Sequence, residues 1–143
     1  MTPDELVETI ELPDHLRELD YLREYYGNIE WGIRAIFTGY LGWFDGNPTN
    51  LFSLPPADEA KQMIALAGGE KAFREAAQKA FEEGDIQWCA QLCDHLLALD
   101  RDDKEARLLK ADALEVLAED LITATGRNYY LTTAQELRKI GEN

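Results

Sequence analysis

Apolar residues recur at three- and four-residue spacings along most of the chain, and clusters of Gly, Pro and Asn break that rhythm. Such a pattern predicts helices from end to end: an all-α fold with no sheet of consequence. Thr2-Pro3-Asp4-Glu5 is a start signal, with Thr2 as N-cap, Pro3 at the first helical position and Glu5 where a capping box needs it. That helix carries Leu6, Val7 and Ile10 and stops before Pro13. A second is expected from Asp14 to Tyr25, with Leu16, Leu19 and either Leu22 or Tyr21 on one face and Gly27 ending it. Asn28 can cap a third, from Ile29 to Trp43. Its apolar positions, among them Ile33, Phe37, Tyr40 and Phe44, cover so wide an arc that deep burial is expected.

The connection from Gly46 to Pro56 holds Pro48, Pro55 and Pro56 and is the best place for a boundary between two sub-regions, 1–52 and 53–143. Beyond it, helices are expected over Pro56 to Leu66, Glu70 to Glu83 and Asp85 to Leu99, separated by Gly68-Gly69 and Gly84. The third of these turns Trp88, Cys89, Leu92, Leu96 and Leu99 inward. Asp102 or Asp103 can cap Lys104 to Leu121, whose inward positions are Leu108, Ala111, Leu114 and Leu117. Gly126-Arg127-Asn128 reads as a break before a last helix from Thr132 to Ile140. Small residues at fixed spacings in 72–118, including Ala76, Ala80, Ala90, Ala106 and Ala111, suggest a tetratricopeptide-type helical hairpin. A single hairpin is fewer than the ~3 repeats a free-standing array needs, so it leans on the N-terminal helices or on another chain.

Composition narrows the partners. The 143 residues suffice for one domain, and 45% hydrophobic with 29% charged is a globular balance. A formal net charge of -14 argues against nucleic acid and anionic membranes, which would repel it. No apolar run approaches the ~20 residues of a membrane span, and the N-terminus lacks the parts of a signal peptide. A soluble protein is therefore expected. Cys89 and Cys93 sit four apart, on one helical face, and read as small core residues.

The chain is poor in catalytic chemistry. His15 and His95 are its two histidines, and it contains no H-x-H, H-E-x-x-H or C-x-x-C. His95 is turned about 200° from Cys93 on a helix of ~3.6 residues per turn, which spoils a three-ligand face. No catalytic residue and no metal ligand is assigned. Two aromatic clusters stand out: Tyr25-Tyr26-Gly27 with the segment from Tyr40 to Asn50, and Arg127-Asn128-Tyr129-Tyr130. Such residues pack at helix ends, or they form the lip of a ligand site or the anchors of an interface.

Several strings, taken in order, resemble one family. They include Glu11-Leu12-Pro13, Tyr25-Tyr26-Gly27, Tyr40-Leu41-Gly42-Trp43-Phe44-Asp45-Gly46-Asn47-Pro48, Leu66-Ala67-Gly68-Gly69 and Gly126-Arg127-Asn128-Tyr129-Tyr130-Leu131. The chain resembles the dimerisation domain of bacterial alkyl sulfatases over nearly its whole length. The resemblance implies a helical region that exchanges helices between two protomers of a homodimer. It also implies that 1–52 covers the active site of a preceding metallo-β-lactamase-type catalytic domain. Zinc would be bound in that domain, by residues upstream of this chain, and a sterol-carrier-like domain would follow. Met1 just before a helix start suits an excised piece. Tyr40 stands where the family has a tyrosine that reaches the substrate sulfate, and Phe44 where many members have a tyrosine.

The resemblance thus points to a region of an alkyl sulfatase that is not catalytic by itself. The alternative is a free-standing tetratricopeptide-like adaptor that holds a peptide. The wide apolar arc of the third helix favours self-association, with Trp31, Phe37, Trp43, Phe44, Arg127, Tyr129 and Tyr130 as candidate interface residues.

Overall fold

The computed structural model describes residues 1–141. Among them lie eight α-helices, two 3₁₀ turns and no strand. The helices are α1 (Pro3–Thr9), α2 (Asp14–Arg17), α3 (Ile29–Leu41), α4 (Pro56–Leu66), α5 (Glu70–Glu83), α6 (Ile86–Leu99), α7 (Lys104–Glu119) and α8 (Ala124–Gly141). The all-α reading holds. The chain divides into two compact units, one of residues 1–53 with 122–126, the other of 54–121 with 127–143.

The second unit carries the core. The stripe of α6 is Cys89, Leu92, Cys93 and Leu96, all buried at helical spacing, and it meets Phe73 and Ala77 of α5, Ile64 of α4 and Ala113 of α7. Many of the contact points are Ala or Cys, which lets helix backbones approach closely. Phe73 is the largest of the fully buried side chains. Stops are local and glycine-based: Gly84 ends α5 at φ +86, the left-handed region that glycine enters without a Cβ penalty. Asp103 is the N-cap of α7, its carboxylate accepting from the Ala106 N–H at 3.1 Å. A smaller cluster joins α7 to α8, with Ala111, Leu114 and Ala134 buried and Tyr130 and Leu137 packed against them. There Arg138 donates to Glu115 at 2.8 Å and to Asp112 at 2.6 Å.

Three inward assignments are corrected here. Trp88, Leu99 and Leu108 are exposed, because the buried stripe of α6 is narrower than its apolar content and α7 buries Ala106 and Arg107 in place of Leu108. The expected break at Gly126 is also absent, and α8 runs through it. A helical Gly costs only ~1 kcal/mol relative to Ala, and the ties at the start of α8 offset that.

The first unit is built differently. The capping box at the start of α1 is complete: Thr2 Oγ1 accepts from Glu5 N at 3.2 Å and Glu5 Oε2 accepts from Thr2 N at 2.8 Å. α1 packs along α3, and Arg34 of α3 donates to Asp4 of α1 at 2.7 Å. The expected second helix shrinks to the four residues of α2 and a 3₁₀ turn at Asp20–Leu22. Short helices are marginal without a packed face, and Tyr21 and Leu22 remain exposed. The deep burial expected of α3 does not occur. No residue of α3 is buried, nor is any residue of the whole stretch 1–53.

Candidate functional site

The candidate surface begins at the start of α3. Asn28 Oδ1 caps it by accepting from Trp31 N at 2.8 Å, and Glu24 Oε1 accepts from Ile29 N at 2.7 Å. Thirteen residues later the helix closes on Gly42, at φ +83, with its N–H on Thr38 O. The chain then turns sharply. Asp45 organises this turn: one carboxylate oxygen accepts from Asn47 N at 2.9 Å and the other from the Asn50 amide. These bonds, the Asn47 N–H first, hold the Asp45 carboxyl below the usual range. Asn47 Oδ1 in turn accepts from Thr49 N, and Pro48 opens the 3₁₀ turn Pro48–Phe52.

Polar groups hold this corner from within, and its apolar groups point out. Tyr40 is 87% exposed, Trp43 71% and Phe52 95%, with Ile36 and Leu41 also in solvent. Trp31 is less exposed, and Phe37 and Phe44 are half-buried. Trp43 meets Phe44 edge-on, ring centroids 5.9 Å apart. Phe37, Leu41 and Phe44 line a hollow of about 500 Å³ beside Asp45, Gly46 and Asn47. No hydrogen bond within the described residues engages the Tyr40 hydroxyl. The surface thus offers a phenol, an indole and aliphatic area to something outside it.

A tie distant in sequence completes the first unit. Thr123, almost fully buried, donates its hydroxyl to Glu24 O at 2.6 Å, and Ala124 N donates to Tyr25 O at 2.7 Å. Sequence reasoning missed Thr123, since a threonine in a break carries no periodic signal. The second expected cluster is placed at the start of α8. Arg127 donates to Leu121 O through Nε at 3.1 Å and Nη2 at 2.7 Å. Tyr129 is exposed, whereas Tyr130 packs on the α7–α8 cluster.

No group of three or more His, Cys, Asp or Glu among the described residues could hold a metal ion. His95 stands edge-on to Phe73 at 6.0 Å, and Cys89 and Cys93 are inside the core. Burial pushes both thiols up, Cys93 furthest. No described helix is long and apolar enough to cross a membrane.

Comparison with known proteins gives one consistent answer. The chain is 46% identical over 138 residues to a linear primary-alkylsulfatase of Pseudomonas sp., a match covering 96% of this chain and 26% of that protein. It is 41% identical to an (R)-specific secondary-alkylsulfatase of Pseudomonas sp., covering 92% of this chain and 20% of that one. An alkyl/aryl-sulfatase of Saccharomyces cerevisiae is 38% identical across 96% of this chain and 21% of its own, so relatives occur outside bacteria. The solved structure of the stereoselective inverting sec-alkylsulfatase Pisa1 from Pseudomonas sp. superposes with a TM-score of 0.90 at 40% identity, covering 96% of this chain and 22% of that one. The chain therefore spans about a quarter or less of the length of the relatives it matches. The family model for alkyl sulfatase dimerisation matches residues 2–140, and the chain belongs to that family.

Proposed function

We propose that this chain couples two alkyl sulfatase protomers and, with residues 1–52, covers the active site of the catalytic domain that acts beside it. One observation carries the reading. The first 53 residues bury none of their side chains, yet they present Ile36, Tyr40, Leu41, Trp43 and Phe52 on an ordered scaffold of caps and turns. Apolar area of that kind marks a surface completed by another protein. An isologous homodimer uses the same patch twice, and a buried total above ~2,000 Å² is expected of an obligate one. Trp31, Phe37, Trp43 and Phe44 supply the interface from the first unit, and Arg127, Tyr129 and Tyr130 from the second.

In this reading Tyr40 reaches the sulfate of an alkyl sulfate ester. Its free hydroxyl can donate to an ester or leaving-group oxygen, and the neighbouring aliphatic area suits the alkyl chain. The chemistry of ester cleavage belongs to the catalytic domain, of metallo-β-lactamase type. Any zinc would be held there, because the described residues of this chain do not fit a zinc site.

Two measurements test the proposal. Sedimentation of the chain across micromolar concentrations is expected to show a dimer, weakened by Trp43→Ala. A well-folded monomer throughout would overturn the dimer. In an alkyl sulfatase whose dimerisation region is replaced by this chain, Tyr40→Phe is expected to lower kcat/KM about 10-fold or more while the dimer persists. Unchanged kinetics would remove Tyr40 from the site.

A further inference from the structure

A second concavity lies wholly within the other unit, where α6 begins and α7 ends. Gly84, Asp85, Gln87, Trp88, Gln91, Val116, Leu117 and Asp120 line most of a hollow of about 570 Å³. Its walls have two independent characters. Trp88, expected to face the core, is 46% exposed, so a large indole face is open beside Val116 and Leu117. Asp85 and Asp120 bring two carboxylates and the lining contains no cation. Neither carboxylate is used within the described residues: Asp85 sits at the N-cap position of α6 without a side-chain cap bond, and no ion pair engages Asp120. An N-cap Asp normally bonds the N–H groups of its own helix, so one that does not has its acceptors free. The partial positive end of α6 and the partial negative end of α7 meet here and oppose each other, which leaves the two side-chain charges to set the sign.

An exposed indole that shares a hollow with two free carboxylates is the complement of a guanidinium. The planar group stacks on the ring while its N–H fork donates to carboxylates, and it sheds water more readily than an ammonium does. The amides of Gln87 and Gln91 add acceptors, and Val116 and Leu117 suit an apolar neighbour of the arginine. We propose that this hollow docks an arginine-bearing, partly apolar segment of another protein. The hollow shares no lining residue with the α3 surface, and nothing in its argument depends on the dimer or on Tyr40.

The test uses this chain and two blocked peptides, Gly-Leu-Arg-Leu-Gly and Gly-Leu-Glu-Leu-Gly, with the Trp88 indole N–H followed by NMR and assigned through Trp88→Phe. The arginine peptide is expected to move that signal saturably, with a Kd of ~1 mM or tighter, and to lose affinity as salt rises. The Asp85→Asn, Asp120→Asn double variant, which leaves the shape of the hollow and the helix ends in place, is expected to bind at least about 10-fold more weakly. A lysine peptide is expected to bind less well than arginine. Absence of any shift at several-fold excess over that Kd, an equal shift with the glutamate peptide, or unchanged binding by the double variant would each overturn the proposal. So would a Trp88 signal that moves with protein concentration alone, since the hollow would then belong to a second copy.

Discussion

Asp103 has two roles at the start of α7: it caps the helix and it pairs with Arg74 of α5. Burial opposes its ionisation, but the Arg74 hydrogen bond, the Ala106 N–H and the Arg74 charge outweigh that and hold its carboxyl below the usual value. A lowered folded pKa means stability that is complete above the unfolded value of ~3.9 and is lost as pH falls through the folded one. Asp103→Ala is expected to cost about 2 kcal/mol at neutral pH, from a lost cap and the loss of one carboxylate partner of Arg74, which keeps Glu70. Urea unfolding of both proteins from pH 7 down to pH 3 checks it, and the gap is expected to narrow below pH 4. The thiols make a sharper case. Cys89 and Cys93 are fully buried and burial disfavours their thiolates, so a thiol reagent is expected to label neither in the native chain and both in denaturant. Rapid labelling under native conditions would contradict the described core. Cys89, Leu92 and Leu96 of that core were legible because their spacing fixes their face, whereas Leu99, at the end of the same helix, was not. Trp88 was not, because its ring lies at the edge of the stripe and spacing alone does not say where a stripe ends.

Among the elements, those with local causes were readable from residues. Thr2 and Asn28 cap where expected, Asp103 is the one of two candidates that caps α7, and Gly84 stops α5. Gly84→Ala tests that last cause in isolation. A Cβ there meets no atom within 4 Å, so the change strains the backbone alone and is expected to cost ~1 kcal/mol, read as a lower urea midpoint with unchanged slope. Elements with distant causes were not readable. The tie between Thr123 and Glu24 spans 99 residues and follows no period. Thr123→Val keeps the shape and leaves Glu24 O without its donor, at an expected cost of ~1–3 kcal/mol concentrated in the first unit. Hydrogen exchange at Tyr25 and Ala124 is expected to quicken while α6 is unaffected. The burial of α3 was misjudged for a related reason: amphipathic pattern reports which face wants cover, and a second molecule can supply it.

At the scale of the molecule the two units differ in how they are held. The second has a hydrophobic core and is expected to unfold cooperatively. The first has caps, ion pairs on exposed side chains and the Thr123 tie, and surface ion pairs contribute only ~0–1 kcal/mol each. In the proposed assembly, what covers it would add to its stability. Heating a dilution series is expected to show a transition of the first unit that moves up with concentration more steeply than that of the second, which keeps its own core. That contrast has a consequence for the life of the protein in a cell. In the proposed assembly, a copy without its partner would leave an aromatic-rich segment uncovered at its surface, open to proteases and chaperones. Orphaned copies would thus be cleared first, and the abundance of the chain would track that of its assembly.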